Sequence, residues 1–196
     1  MSPGCLVFLD TETTGLPKVR GASPFAPRLW PRLVQVGWAL YTTGGELISE
    51  EAYVIRPEGF RIPRSVSRIH GITDRRAREE GRPLAEALDR LTEASRTGGT
   101  WISHNASFDR GVLIAEMVRS GRSRPEIERV LPARRWICTV KAAERLTDTG
   151  RTPRLGLADL HLRLFGERPA EGHSALADVR TCARCFFRMR EMGVVK

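Results

Sequence analysis

Three strand-like segments follow one another with only a turn or an irregular loop between them, and this order confines the chain to a sheet that begins as an antiparallel meander. Cys5 to Glu12 is the first. Leu33 to Tyr41 alternates Val34, Val36, Trp38 and Leu40 against Gln35 and Gly37, and after a Thr43-Gly44-Gly45 turn, Leu47 to Ile55 makes the third. The loop from Pro17 to Pro31, rich in Pro and Arg, is long enough to flank a groove. Beyond Pro57 the pattern turns helical, with a short segment over Ser65 to Ile69 and a helix over Pro83 to Ala94 that places Leu84, Leu88 and Leu91 on one face. Thr100 to His104 then reads as a strand feeding a helix over Ser107 to Arg119, and Ile137 to Val140 as a last strand. Helices over Leu157 to Phe165 and Ala175 to Met192 complete the pattern, so the expected fold is α/β, a mixed five-stranded sheet flanked by helices.

The first strand runs straight into two acids. Side chains at i and i+2 of a strand share a face, so Asp10 and Glu12 point the same way where the strand meets the Thr-Thr-Gly turn. Paired carboxylates repel unless a cation lies between them, and hard ions such as Mg²⁺ or Mn²⁺ favour oxygen ligands of this kind. Taken alone, the pair is equally compatible with a solvated sheet edge.

Lys and Arg number 32 against 23 acids, a formal charge of +9 that favours a polyanionic partner such as nucleic acid. Only Lys18, Lys141 and Lys196 are lysines, so arginine dominates. Ser120 to Arg135 is arginine-rich and reads as a solvated connection or a phosphate-facing surface. With 196 residues, 41% of them hydrophobic, one domain spanning 1–196 is the expectation. No apolar run is long enough for a membrane span, the N-terminus lacks signal-peptide features, and a cytoplasmic location is expected. Four cysteines are too few for a disulfide scaffold, and Cys182-x-x-Cys185 has no second pair to complete a zinc site, so buried free thiols are expected.

Two further motifs carry chemistry. His104-Asn105-Ala106-Ser107-Phe108-Asp109 sits where a strand passes into a helix, the usual place for ligand groups in α/β sheets, although Asp109 in a first turn also simply complements the helix dipole. His173-Ser174-Ala175-Leu176-Ala177-Asp178 leads into the terminal helix. Five residues span about 500° of helix, roughly 140° off register, so His173 and Asp178 converge only if His173 lies in the preceding loop. His104 is expected to pack at a strand end and His161 to lie on a helix surface.

Asp10-x-Glu12 followed by Thr-Thr-Gly-Leu, His104-Asn105-x-x-Phe108-Asp109, and His173-x4-Asp178 resemble, in order, the three motifs of the DEDDh (DnaQ-like) 3′-to-5′ exonuclease superfamily, including the proofreading exonuclease domain of bacterial DNA polymerase III. Ile69-His70-Gly71-Ile72-Thr73 resembles a further element of that superfamily, and the similarity covers nearly the whole chain. It implies a ribonuclease H-like fold and a metal-dependent enzyme releasing nucleoside monophosphates from nucleic-acid 3′ ends. Four carboxylates, Asp10, Glu12, Asp109 and Asp178, can hold two divalent ions about 3.5–4 Å apart, either Mg²⁺ or Mn²⁺. By the resemblance, Asp10 bridges the metals, Glu12 and Asp178 complete one site, and Asp109 is reached partly through water. His173, with an ordinary pKa near 6.5, is placed to accept a proton from the attacking water.

The resemblance also implies that Thr13 and Leu16 hold the terminal nucleotide and that His70, Asn105 and Phe108 flank the 3′ end. The preferred polymer is single-stranded or frayed DNA, in repair or proofreading. RNA trimming is the alternative within the same chemistry, and a non-catalytic nucleic-acid-binding or polymerase-accessory protein the alternative outside it. With only a few residues after the terminal helix before Lys196, a tethered polymerase partner is not expected, and a polymerase partner docked on the domain surface stays possible.

Overall fold

The computed structural model describes residues 4–97, 99–146, 155–170 and 174–195. Five strands, β1 (Cys5–Thr13), β2 (Leu33–Thr42), β3 (Leu47–Val54), β4 (Thr100–Ser103) and β5 (Trp136–Cys138), form one sheet in the order β3-β2-β1-β4-β5. The pairs β1–β2 and β2–β3 are antiparallel, whereas β1–β4 and β4–β5 are parallel, so the sheet is the expected mixed one. The helices are α1 (Arg64–His70), α2 (Asp74–Glu80), α3 (Leu84–Ser95), α4 (Ala106–Arg119), α5 (Arg124–Val130), α6 (Thr139–Ala143), α7 (Leu157–Phe165) and α8 (Ala175–Glu191).

β1 is central, so both of its faces are covered. Val7 and Leu9 pack with Val36, Trp38 and the apolar faces of α3 and α4, while Leu6 and Phe8 pack with Ala39, α7 and α8. This parity puts Asp10 and Glu12 on the α8 face and Thr11 on the α4 face. Gly37 lies opposite Asp10 on β2, and a Cβ there would meet the backbone of Ala175 and Leu176 at 3.0 Å. The missing side chain lets α8 settle directly on the sheet.

Two helices and one strand end depart from the sequence expectations. α2 has only Ala77 buried, so no apolar periodicity marks it. It is held by its Thr73 cap, which accepts from the Arg76 N–H, and by Asp74–Arg78 and Arg76–Glu80 pairs one turn apart. α5 lies inside the arginine-rich stretch, opened by a Ser123–Glu126 capping box and anchored through buried Ile127 and Val130. Arg122 there pairs with Asp89 of α3 and Arg124 with Glu128, so part of the segment's charge is compensated on a solvated surface. β5 ends at Cys138, and Thr139 and Val140 already belong to α6.

Candidate active site

Three elements supply the four carboxylates. The end of β1 supplies Asp10 and Glu12, the first turn of α4 supplies Asp109, and the first turn of α8 supplies Asp178. One carboxylate oxygen from each of Asp10, Glu12 and Asp178 lies within 4.8 Å of the others. Asp109 is set differently: only 2% exposed, it accepts hydrogen bonds from the Thr11 hydroxyl at 2.7 Å and from the Ser103 hydroxyl. Its carboxylate is thus fixed by hydroxyls from β1 and β4 on the opposite face of the sheet from α8.

Asp178 reaches the pair because α8 is fastened at its first residues. The Gln35 side chain, opposite Glu12 on β2, accepts from the Ala175 N–H at 3.0 Å, and the Ser174 side chain caps the helix by accepting from the Ala177 N–H. Thr11, Ser103, Gln35, Gly37 and Ser174 therefore place the acids. Of these, only the Ser174 cap carries a recognisable sequence signal, since the others act through contacts between residues far apart in the chain.

The charges oppose one another. Burial, followed by the charges of Asp109, Asp178 and Glu12, holds the Asp10 carboxyl well above the usual carboxylate range. Glu12 is pushed up to about 7 by burial and then by Asp178 and Asp109. Burial raises Asp109 to about 6 against the lowering effect of its Ser103 and Thr11 hydrogen bonds. Crowded oxygen donors that resist losing their protons are the donor set a hard divalent cation relieves, so these residues fit such an ion.

A pH dependence follows. Because the folded pKa values of Glu12 and Asp109 are raised, the native state holds protons that the unfolded chain has already released, and stability falls as pH rises from about 4 toward about 7. A bound cation reverses that penalty. The rise in melting temperature on adding Mn²⁺ is therefore expected to be small at pH 5 and to grow through pH 6 to 8, read by differential scanning fluorimetry. A pH-independent rise would rule out these acids as the binding groups.

A cleft of about 570 Å³, within the size range of small-ligand sites, is lined by the chain neighbours of Asp109 and by none of the four acids themselves. Leu16, Asn105 and Phe108 line it together with Arg20, Trp30 and Arg110. Leu16 is 80% exposed at its mouth, and Asn105 holds a left-handed backbone, φ 83°, at the N-cap of α4. Trp30 lies against Gly111 of α4, where any Cβ would overlap the indole ring. Two of the expected contact residues do not line the cleft. The Thr13 hydroxyl donates to the Gly15 carbonyl at 2.7 Å and so shapes the turn. His70 is 5% exposed, and its Nδ1 accepts from the Ile72 N–H.

The remaining histidines act structurally, one of them against expectation. His104 bridges the Thr139 hydroxyl and the Leu155 carbonyl. His161 is buried rather than on a surface: Nδ1 donates to the Glu167 carbonyl, Nε2 accepts from Arg184, and the ring packs on Phe165. His173 lies outside the described residues. Cys182 and Cys185 are buried free thiols, with burial pushing Cys185 up to about 12.

The exonuclease family model, RNase T, matches residues 7–186. The chain belongs to this exonuclease family. A search of curated proteins finds no match. Among solved structures, E. coli exonuclease I in complex with a dT13 oligonucleotide is similar over 96% of this chain and 41% of its own, with TM-score 0.73 and 18% identity. Exonuclease I from Methylocaldum szegediense matches over 96% of this chain and 40% of its own, with TM-score 0.72 and 22% identity. A full-length 3′-exonuclease matches over 99% and 62%, with TM-score 0.74 and 15% identity. The exonuclease-family chain thus shares the ribonuclease H-like exonuclease fold and spans about two fifths of the length of the exonuclease I chains, 41% in the E. coli case. Among the described residues no helix is long and apolar enough to cross a membrane.

Proposed function

We propose that this exonuclease-family chain is a metal-dependent 3′-to-5′ exonuclease that removes nucleoside monophosphates from single-stranded or frayed DNA ends. The observation that carries the reading is the convergence of one oxygen each of Asp10, Glu12 and Asp178 within 4.8 Å, with Asp109 hydrogen-bonded to Thr11, the residue between Asp10 and Glu12. Two divalent ions bound there supply activation of water and neutralisation of charge on the phosphate and the leaving 3′-oxygen. Asp10, Glu12 and Asp178 hold them, and Asp109, already fixed by two hydroxyls, takes part through its remaining lone pairs. Leu16 and Phe108 on the cleft wall receive the terminal nucleotide, and the Asn105 side chain borders it. His173, immediately before the Ser174 cap of α8, accepts the proton of the attacking water. The DNA preference is supported by the oligonucleotide held by the structurally similar E. coli exonuclease I.

The test is degradation of 5′-labelled single-stranded DNA, mispaired duplex and RNA of one sequence with Mg²⁺ or Mn²⁺. A ladder shortening from the 3′ end, fastest on single-stranded DNA, is expected. Faster trimming of RNA would reassign the polymer, and no shortening of any arm would remove the enzymatic reading. In the same assay His173→Ala is expected to lower turnover by about 10²-fold or more, with the Mn²⁺-induced thermal shift retained. Unchanged turnover would exclude His173 as the base.

A further inference from the structure

Thr139 carries a hydroxyl that is shut away from water, at 0% exposure, behind the acids rather than among them. It is the first residue of α6 and follows Cys138, which sits opposite Ser103 where β5 and β4 end. A buried hydroxyl needs partners, and Thr139 meets them on three sides. Its Oγ1 lies 3.0 Å from His104 Nδ1, 3.4 Å from the Ser103 carbonyl oxygen and 3.8 Å from the Cys182 sulfur.

The proton positions follow from what each partner can do. The Leu155 carbonyl, 3.0 Å from His104 Nε2, can only accept, so Nε2 carries the ring proton and Nδ1 of the neutral imidazole accepts from the Thr139 hydroxyl. The Ser103 carbonyl stands within longer reach of the same proton. Thr139 Oγ1 keeps its lone pairs, and the Cys182 thiol donates to one of them. Burial first, with the charges of Asp10 and Asp109 among the further causes, holds that thiol well above its ordinary pKa, so the proton stays on sulfur.

The partners of Thr139 belong to different halves of the acidic site. Ser103 ends β4, His104 follows it, and the Ser103 hydroxyl donates to Asp109. Cys182 lies four residues beyond Asp178 on α8, a spacing that puts both on one face of that helix. Asp109 is thus held from the β4–α4 turn and Asp178 from α8, and Thr139 touches both supports.

We propose that Thr139 is a positioning residue that sets the separation of Asp109 and Asp178, and with it the space left for a divalent cation; this role rests on the function proposed above. Thr139 acts through Ser103 and His104 on one side and through Cys182 on the other, as outer partners do when they orient metal ligands. An alkyl group of the same shape fills the volume and leaves the two supports free to shift apart.

The experiment compares Thr139→Val, which keeps the branched shape without the hydroxyl, with Thr139→Ser, which keeps the hydroxyl without the methyl. Mn²⁺ affinity, read in the absence of nucleic acid by electron paramagnetic resonance of the free ion, is expected to weaken about 10-fold in Thr139→Val and to stay within about 3-fold of the unsubstituted protein in Thr139→Ser. On single-stranded DNA, kcat per folded molecule falls about 10-fold in Thr139→Val while KM stays within about 2-fold, because the cleft wall is untouched. A loss of fold stability alone lowers the melting temperature and the folded fraction and moves neither the Mn²⁺ affinity nor kcat per folded molecule.

An unchanged Mn²⁺ affinity in Thr139→Val would overturn this role, and so would equal losses in the valine and serine variants. Where Thr139→Val does not fold, Cys182→Ala removes the α8 contact alone and is expected to weaken Mn²⁺ binding by a smaller factor; unchanged affinity there overturns the role as well. The two proposals fail separately. Mn²⁺ affinity that depends on the Thr139 hydroxyl without 3′ shortening of any strand defeats the enzymatic reading alone, and 3′ shortening with Mn²⁺ affinity indifferent to that hydroxyl defeats the positioning role alone.

Discussion

Asp10→Asn is expected to lower turnover on single-stranded DNA by about 10³-fold while raising the melting temperature of the metal-free protein. Both effects come from one carboxylate. Burial first, and then the charges of Asp109, Asp178 and Glu12, hold the Asp10 carboxyl well above the usual carboxylate range. An acid in that position is unfavourable when charged and alone, and favourable when a cation shares it. Loss of a metal ligand removes several kcal/mol of transition-state charge stabilisation, which corresponds to about 10³-fold in rate. The isosteric amide keeps the shape of the site and deletes one of the repelling charges, so the apo protein gains stability near neutral pH. A 3′-end ladder of unchanged rate in Asp10→Asn would remove Asp10 from the site. A lowered apo melting temperature would show that the acids do not repel as the raised pKa values of Asp10, Glu12 and Asp109 require.

The second large effect is one of stability. Glu116→Ala is expected to destabilise the fold by about 3 kcal/mol, because it leaves two arginines and a backbone donor without their shared acceptor. Glu116 is 1% exposed on α4, and one of its oxygens accepts from Arg32 Nε, from the Leu33 N–H and from Arg119 Nη1, each at 2.9 Å. Arg119 in turn donates to the carbonyls of Pro27, Trp30 and Pro31. The cluster fastens the end of the Pro17 to Pro31 loop, and with it Trp30 on the cleft wall, to α4. Arg32 and Arg119 keep 27% and 19% exposure and can turn partly toward water, which holds the expected loss at the lower end for a broken buried pair. Glu116→Gln retains one acceptor oxygen and is expected to cost about half as much. Urea unfolding reads both variants. An unchanged midpoint in Glu116→Ala would mean that the loop is held by Trp30 packing alone. A raised KM at nearly constant kcat in the folded fraction is the accompanying expectation, since the cleft wall loosens and the acids stay in place.

Glu116 also marks where reading the sequence stopped. In the chain it is one charged residue among Val112, Leu113, Ile114 and Met117 on a helix whose other face could equally have met water. Its value depends on Arg32, 84 positions away, and no local pattern encodes that distance. His161 failed for the same reason: the helical spacing of α7 left its face open until Arg184 and the Glu167 carbonyl closed over it. α2 was missed because capping and one-turn ion pairs, not an apolar stripe, hold it.

What the sequence by itself determined is the order of the elements and the identity of the acids. Alternation along β2, the apolar run of β1 and the helical spacing of α3 and α4 are local signals, each set by one element's need to bury one face. Asp10 and Glu12 share a face because strand side chains alternate, and that holds wherever the strand is placed. Only the tertiary structure decided that Asp178 meets them. Gly37 lets α8 lie against β2, Gln35 ties down its first residue, and Thr11 and Ser103 turn Asp109 toward the same place from the other face of the sheet. These are contacts between residues far apart in sequence, chosen by packing and hydrogen-bond satisfaction in the assembled sheet, and they turn separate acids into one site.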